Sequence, residues 1–167
     1  RMLNPKDYIR YRLTGEYATE VSDASGTGLF NVRERTWSHR LLTLLGLPEQ
    51  LLPDCHESTE ISGSLLPYLA RELGLPENLP VVGGGGDAII QSTGTGLVRG
   101  GVLSATIGTG GQICAALDQF QGNQAGRLQV FCNVMPGKWH AMGVMQTAGA
   151  ALKWLARLLD EEQLNSG

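Results

Sequence analysis

Pro80-Val81-Val82-Gly83-Gly84-Gly85-Gly86-Asp87-Ala88-Ile89-Ile90 is the stretch whose reading decides the fold. A short β-branched run predicts a buried strand, four glycines a turn, and the residues from Asp87 to about Thr95 a helix. Without Cβ atoms in the way, a ligand can come close to the backbone of such a turn. The helix start beyond it offers free N–H groups and a partial positive charge. Asp87 is the only charged residue between Glu77 and Arg99. It reads in two ways. As an N-cap it needs no function; but a cap does not need four glycines before it, and those favour a ligand site. The run also fits the dinucleotide fingerprint G-x-G-x-x-[GA]. The acidic residue expected about 20 positions later is missing, since Asp118 is the next acid, and this counts against a dinucleotide-binding oxidoreductase.

Downstream, Gly100 and Gly101 mark a break. Val102–Ile107 and Gln112–Leu117 predict a hairpin around Gly108-Thr109-Gly110-Gly111. Such a turn presents N–H groups and a hydroxyl that can hold a phosphate, or it is simply a hairpin turn. It is not a Walker A loop, because no Lys-Ser/Thr follows. Residues 118–127 predict a loop, and residues 128–134 and 138–144 further strands joined at Pro136-Gly137. Residues 145–160 predict a helix with Met145, Ala148, Leu152, Leu155, Leu158 and Leu159 at helical spacing. The small residues Ala148-Gly149-Ala150-Ala151 let something pack close to its first turn, either a ligand or the sheet.

Upstream, the chain is mostly helical. Residues 4–13 predict a helix capped by Asn4, opened by Pro5 and ended by Gly15. Residues 16–35 lack helical period. Helices follow at about 36–45, with Leu41, Leu42, Leu44 and Leu45 on one face, and at about 64–73; glycine and proline stop each of them. A boundary falls near Arg99–Gly101, with residues 1–99 on one side and 100–167 on the other.

Composition narrows the function classes. Charged residues make up 17% of the 167 residues, against about 25% in ordinary domains. The net charge of −3 comes with no basic stripe, which argues against nucleic acid and against a polybasic membrane anchor. No apolar run is long enough to span a membrane. Of the 23 glycines, eleven lie between Gly83 and Gly111. Cys55, Cys114 and Cys132 form no C-x-x-C and read as buried, reduced thiols, which fits a cytoplasmic protein. His39, His56 and His140 lack the spacing of zinc ligands. The opening on Arg1 and the end at Gly167, just after a helical pattern, read as a piece of a longer chain.

Six stretches in order resemble the FGGY carbohydrate kinases, and within that family its xylulose kinase branch. They are Asn4-Pro5-Lys6-Asp7-Tyr8-Ile9-Arg10-Tyr11-Arg12-Leu13-Thr14-Gly15, Ser22-Asp23-Ala24-Ser25-Gly26-Thr27, Arg35-Thr36-Trp37-Ser38, Val81-Val82-Gly83-Gly84-Gly85-Gly86-Asp87, Ile107-Gly108-Thr109-Gly110 and Ala148-Gly149-Ala150. Each is weak alone; together, at fitting spacing over nearly the whole chain, they are specific.

The resemblance implies an α/β fold of the actin-like, ribonuclease H-like type, with ATP and sugar meeting between two lobes. Residues 1–99 would end the first, sugar-binding lobe and residues 100–167 open the second, nucleotide-binding lobe. It implies that Asp87 is the catalytic base, also able to approach the Mg²⁺ carried by ATP, and that Asp87 and Ala88 face the sugar. Gly108, Thr109 and Gly110 would contact phosphate, and Gly149 and Lys153 the nucleotide. Three departures stand out. Some members of the family carry Ser at the place of Gly110, and xylulose kinases often have Asn where Ala88 stands. Glycerol kinases have a glutamine at the place of Lys153. Asp23 lies in a matching stretch and receives no role beyond capping a loop.

The implied reaction is phosphorylation of D-xylulose to D-xylulose 5-phosphate, with glycerol, L-ribulose or gluconate as alternative acceptors in the same family. A sensor of sugar or nucleotide that keeps the fold without turnover is the alternative from another class. The partners are then a small sugar and ATP, with no nucleic acid and no membrane, and a homodimer is compatible. The first phosphate loop, the rest of the sugar site and the adenosine site have no counterpart in these residues, so the chain alone is expected to be inactive.

Overall fold

A computed structural model describes residues 1–122 and 125–164, with side chains through Leu159. Helix α1 spans Pro5–Thr14. Pro5 opens it, Asp7 lies in its first turn, and Gly15 closes it at φ 79° by donating its N–H to the Tyr11 carbonyl. Its inward residues are polar: Asp7, Arg10 and Thr14. Arg10 fastens the helix by donating to the carbonyls of Ser62, Glu16 and Ala18.

Strand β1, Ala18–Glu20, is too short to show a period in the sequence, and lies in the stretch read as irregular. It pairs in parallel with β4, Asp54–His56. Between them come helix α2, Val21–Ala24, strands β2, Phe30–Asn31, and β3, Thr36–Trp37, and helix α3, His39–Leu45. The predicted helix over 36–45 starts late because Thr36 and Trp37 pair with β2, while the Ser38 side chain accepts the Leu41 N–H as the cap. Of its leucine face only Leu42 is buried; Leu44 and Leu45 are exposed.

Strand β5, Ile61–Ser64, takes the first residue of the next predicted helix, so α4 begins at Pro67 and runs to Leu73. Strand β6, Pro80–Val82, pairs antiparallel with β5 in a two-stranded sheet, with α4 between them in the chain. It is not buried as the sequence predicts, and Val82 is 48% exposed. Helix α5 spans Asp87–Gly94, one residue short of the expected Thr95.

The predicted hairpin forms as β7, Leu103–Ile107, and β8, Gly111–Leu117. Strands β9, Gln129–Cys132, and β10, Trp139–Met145, complete an antiparallel sheet in the order β7-β8-β10-β9. The loop predicted at 118–127 falls partly outside the described residues. Helix α6 spans Gly149–Leu164 and so starts four residues later than expected, because Met145 still pairs with Gly111. Its apolar stripe is not buried: Leu152, Leu155, Leu158 and Leu159 are exposed.

Two small cores hold these parts. Val21, Ala24 and Phe30 bury with Cys132 of β9. Leu97 buries with Cys114, Ala116 and Met142 on the sheet, and the Ala88 methyl packs against that cluster. The segments on either side of Arg99–Gly101 therefore interlock. Arg35 donates to the carbonyls of Lys138 and Asn133, and the Trp139 indole donates to Val32. No described helix is long and apolar enough to cross a membrane.

Candidate functional site

The four glycines after β6 form an ordered turn. Gly83 donates its N–H to the Glu60 carbonyl and Gly84 to that of Ser58. Gly84 sits at φ +87°, a conformation glycine adopts without strain. At Gly85 a Cβ would lie 2.8 Å from atoms of both Ile90 and Val134, so the turn is packed too tightly for a side chain. Gly86, not Asp87, is the N-cap of α5. Asp87 is the first helical residue; its carboxylate is exposed and accepts the Ala88 N–H at 2.7 Å. A carboxylate at that place is free to receive a proton from a bound hydroxyl.

Behind this turn lies a cluster that the sequence did not resolve into a role. Glu20 is fully buried. Its oxygens accept from the Ser22 N–H, the Ser22 hydroxyl, the Asp23 N–H and the Ser58 hydroxyl. Hydrogen bonds to a charged group contribute about 1.5–3 kcal/mol each, so four of them outweigh a desolvation cost of several kcal/mol. The Ser22 hydroxyl in turn accepts the Gly86 N–H at 2.9 Å.

Lys6 reaches the same place from α1. Its ammonium donates to Asp7 at 2.7 Å and to the Gly83 carbonyl at 3.3 Å, and lies 3.6 Å from Glu20 and 3.5 Å from Asp23. Burial alone would lower its pKa; the bond to Asp7 and the charges of Glu20, Asp7 and Asp23 outweigh that and raise it. Asp23 goes beyond loop capping: half-buried, its carboxyl is pushed up by desolvation and held down in part by Lys6. Lys6, Ser22 and Gly86 lie in three of the six matching stretches, while Glu20 and Ser58 lie in none; which acid meets which donor depends on a fold that brings residues 6, 22, 58 and 86 together.

The second glycine turn joins β7 to β8 and is held by backbone alone. Gly108 donates its N–H to the Gly110 carbonyl. Ala148 and Ala150 donate to the Thr109 carbonyl, and Gly149 donates to the Gly108 carbonyl at 3.0 Å. A Cβ on Gly149 would lie 2.4 Å from the Gly108 oxygen, and one on Gly110 would lie 2.7 Å from the Met145 oxygen. Serine in the place of Gly110 would therefore require this turn to move.

Gly108, Thr109, Gly149, Ala150 and Lys153 line one cavity of about 290 Å³ together with Ile107. Four residues assigned to the nucleotide thus meet in one place. Gly110 faces a neighbouring cavity of about 210 Å³, which Gly108 and Gln91 of α5 also line. Asp87 and Ala88 line neither; the connection to them runs along α5 through Gln91. Among the described residues no cluster of three or more His, Cys, Asp or Glu could hold a metal ion. A larger cavity of about 410 Å³, lined by Arg35, Trp37, His39 and Glu49 among others, includes none of these residues.

The chain is similar to known proteins over nearly its whole length. A model of the N-terminal domain of the FGGY family of carbohydrate kinases matches residues 1–94. A xylulose kinase of Escherichia coli (strain K12) is 38% identical over 158 residues, covering 95% of this chain and 32% of that protein. The crystal structure of a xylulose kinase from Brucella ovis superposes with a TM-score of 0.89 at 37% identity, over 95% of this chain and 33% of that one. That of a xylulose kinase from Rhodospirillum rubrum superposes with a TM-score of 0.85 at 31% identity, over 94% of this chain and 32% of that one. The chain spans about a third of the length of the curated relatives it matches.

Proposed function

This chain belongs to the FGGY family of carbohydrate kinases, whose actin-like α/β fold it shares in part, and from that premise we propose that the protein moves the terminal phosphoryl group of ATP onto a sugar hydroxyl. D-xylulose is the proposed acceptor and D-xylulose 5-phosphate the product, in keeping with the relatives' names. The single observation that carries the reading is the convergence of Gly108, Thr109, Gly149 and Lys153 on one cavity.

Phosphoryl transfer asks mainly for alignment and for charge stabilisation. In the proposed reaction the turn at Gly108–Gly110 and the start of α6 take the phosphates, where bare backbone permits close approach. Lys153 adds a positive charge at the mouth of the same cavity. Asp87 orients the sugar hydroxyl and accepts its proton as the oxygen bonds to phosphorus. A carboxylate is ionised at pH 7, and a weak base suffices when the proton is lost late. Ala88 lies beside it at the sugar, with its methyl turned to the core. Magnesium, arriving with ATP, would neutralise phosphate charge. Residues 1–99 then belong to the sugar-binding lobe and residues 100–167 to the nucleotide-binding lobe.

The test is ADP formation by the complete protein with Mg²⁺ and ATP, offered D-xylulose, L-ribulose, glycerol or gluconate in turn. D-xylulose is expected to drive ADP release with the highest kcat/KM, and the 167-residue chain alone to be inactive. Binding of ATP and sugar without ADP release would instead make the protein a sensor.

A further inference from the structure

We propose that Ser22 is a positioning residue for Asp87, acting through a clamp in which buried Glu20 orients the Ser22 hydroxyl, that hydroxyl holds the Gly86 N–H, and Lys6 holds the Gly83 carbonyl. The inference rests on the kinase reading given above and deepens it, since it assigns a role to residues outside both the sugar contact and the nucleotide cavity.

The geometry is continuous. The Ser22 hydroxyl donates to Glu20 Oε1 at 2.8 Å and accepts from the Gly86 N–H at 2.9 Å. Gly86 is the N-cap of α5 and the residue immediately before Asp87. The hydroxyl therefore has one orientation: its proton is committed to a fully buried carboxylate, and its lone pair faces the loop. Ser22 is itself buried, 2% exposed, so water does not readily replace it.

At the other end of the turn, Lys6 donates to the Gly83 carbonyl, and its stem lies where a Cβ on Gly84 would be 3.4 Å from Lys6 Cδ. A glycine run has no side chains with which to fix itself, and its backbone freedom is the largest of any residue. The first and last residues of this run are tied by two side chains more than sixty residues away, one on α1 and one on α2. This ordering draws on α1 and the β1–α2 corner together, and it sets where Asp87 meets the sugar. A misplacement of about 1 Å at a reacting group can cost on the order of 100-fold in rate.

The experiment compares Ser22→Ala, Ser22→Thr and Lys6→Met with the wild type in the complete protein, with two readouts. Amide hydrogen exchange over residues 83–88 tests the clamp without turnover. Steady-state kinetics test its bearing on the reaction. Ser22→Ala is expected to speed exchange at Gly86, to lower kcat by about 10- to 100-fold and to leave the KM for ATP unchanged. Ser22→Thr, which keeps the hydroxyl, is expected to restore most of the rate. Lys6→Met is expected to speed exchange at Gly84 and Gly85 with a smaller loss of kcat.

Unchanged exchange in Ser22→Ala overturns the clamp. A fall of kcat accompanied by an equal rise in the KM for ATP, with no rescue by threonine, overturns the positioning role, because general loosening of the fold predicts that pattern. If the wild type phosphorylates no sugar, the kinase reading fails, and faster exchange at Gly86 in Ser22→Ala still upholds the clamp.

Discussion

The two glycine-rich turns share backbone ties and differ in what is added to them. Gly83–Gly86 is held by backbone bonds to Glu60 and Ser58 and, at its two ends, by the distant side chains of Lys6 and Ser22, with Glu20 behind them. Gly108–Gly111 is tied by backbone hydrogen bonds to the start of α6 and by the near contact of bare main chains. Only the first turn is therefore vulnerable to removing a distant hydroxyl or cation. Both are vulnerable to an added methyl group, the first against side chains at Gly85 and the second against main-chain oxygens at Gly110 and Gly149. The difference suits the two proposed roles. A base must be held at one point against a varied sugar, whereas phosphate asks for close approach to main chain that carries no side chain.

The largest effect that separates the two turns is expected from Gly149→Ala. Its new Cβ would lie 2.4 Å from the Gly108 carbonyl oxygen, so backbone must move. Calorimetric titration with ATP is expected to show affinity weakened by about 100-fold, equivalent to roughly 2.7 kcal/mol, while sugar binding holds. Equal loss of both ligands would erase the distinction between the turns.

Gly84→Ala probes the other turn and is expected to act on rate and stability rather than on ATP. A residue with a Cβ at φ +87° costs about 1–2 kcal/mol, readable as a lower thermal midpoint together with a reduced kcat. An unchanged midpoint would mean that the turn relaxes without cost.

Lys153→Met sharpens the account of the nucleotide cavity. The lysine lines it on an exposed helix face, where charge interactions are screened and small. The KM for ATP is expected to rise by about twofold to fivefold, with kcat close to wild type. A kcat that collapses instead would give Lys153 a part in the transfer step.

The smallest effect lies outside both turns. His140 is fully buried on β10, and burial lowers its pKa. The unfolded chain then takes up a proton before the folded one does as pH falls. The stability is fully present above the unfolded pKa of about 6.5 and is lost as pH falls below it toward the lowered folded value. The thermal midpoint is expected to drop between pH 7 and pH 5, and to drop less in His140→Gln. Parallel curves would assign the acid sensitivity to other groups.

Much of the fold was legible from local signals. The β7–β8 hairpin, the strands at 129–132 and 139–145, and the glycine stop at Gly15 all follow from turn residues and apolar spacing within a few positions. The misplaced helix starts and the missed short strands share one cause. β1, β3 and β5 are two to four residues long, and each exists because a partner strand supplies its hydrogen bonds. Thr36, Trp37 and Ser64 carry no local mark that distinguishes a strand end from a helix start. Met145 fits the apolar spacing of α6, and only its pairing with Gly111 assigns it to the sheet.

The candidate site divides the same way. In the sequence Gly108-Thr109-Gly110 reads as one turn, and Gly149 and Lys153 belong to a separate helix start; the fold brings Gly108, Thr109, Gly149 and Lys153 to one cavity, with Gly110 on the next. The capping reading of Asp87 does not hold, since Gly86 occupies that position and leaves the carboxylate exposed. The clamp of Lys6, Glu20 and Ser22 was out of reach because its bonds span from 2 to 77 positions, and no spacing rule connects them.

The most direct test of the central claim is the rate of sugar phosphorylation by Asp87→Asn in the complete protein, measured with ATP and sugar both at saturation. Asparagine keeps the size and the hydrogen bond to Ala88 while removing the base. The account predicts a kcat lower by about 10²- to 10⁴-fold, with ATP and sugar still bound as tightly as in the wild type. A variant that keeps a wild-type kcat would contradict it, and the proton acceptor would then have to be sought elsewhere.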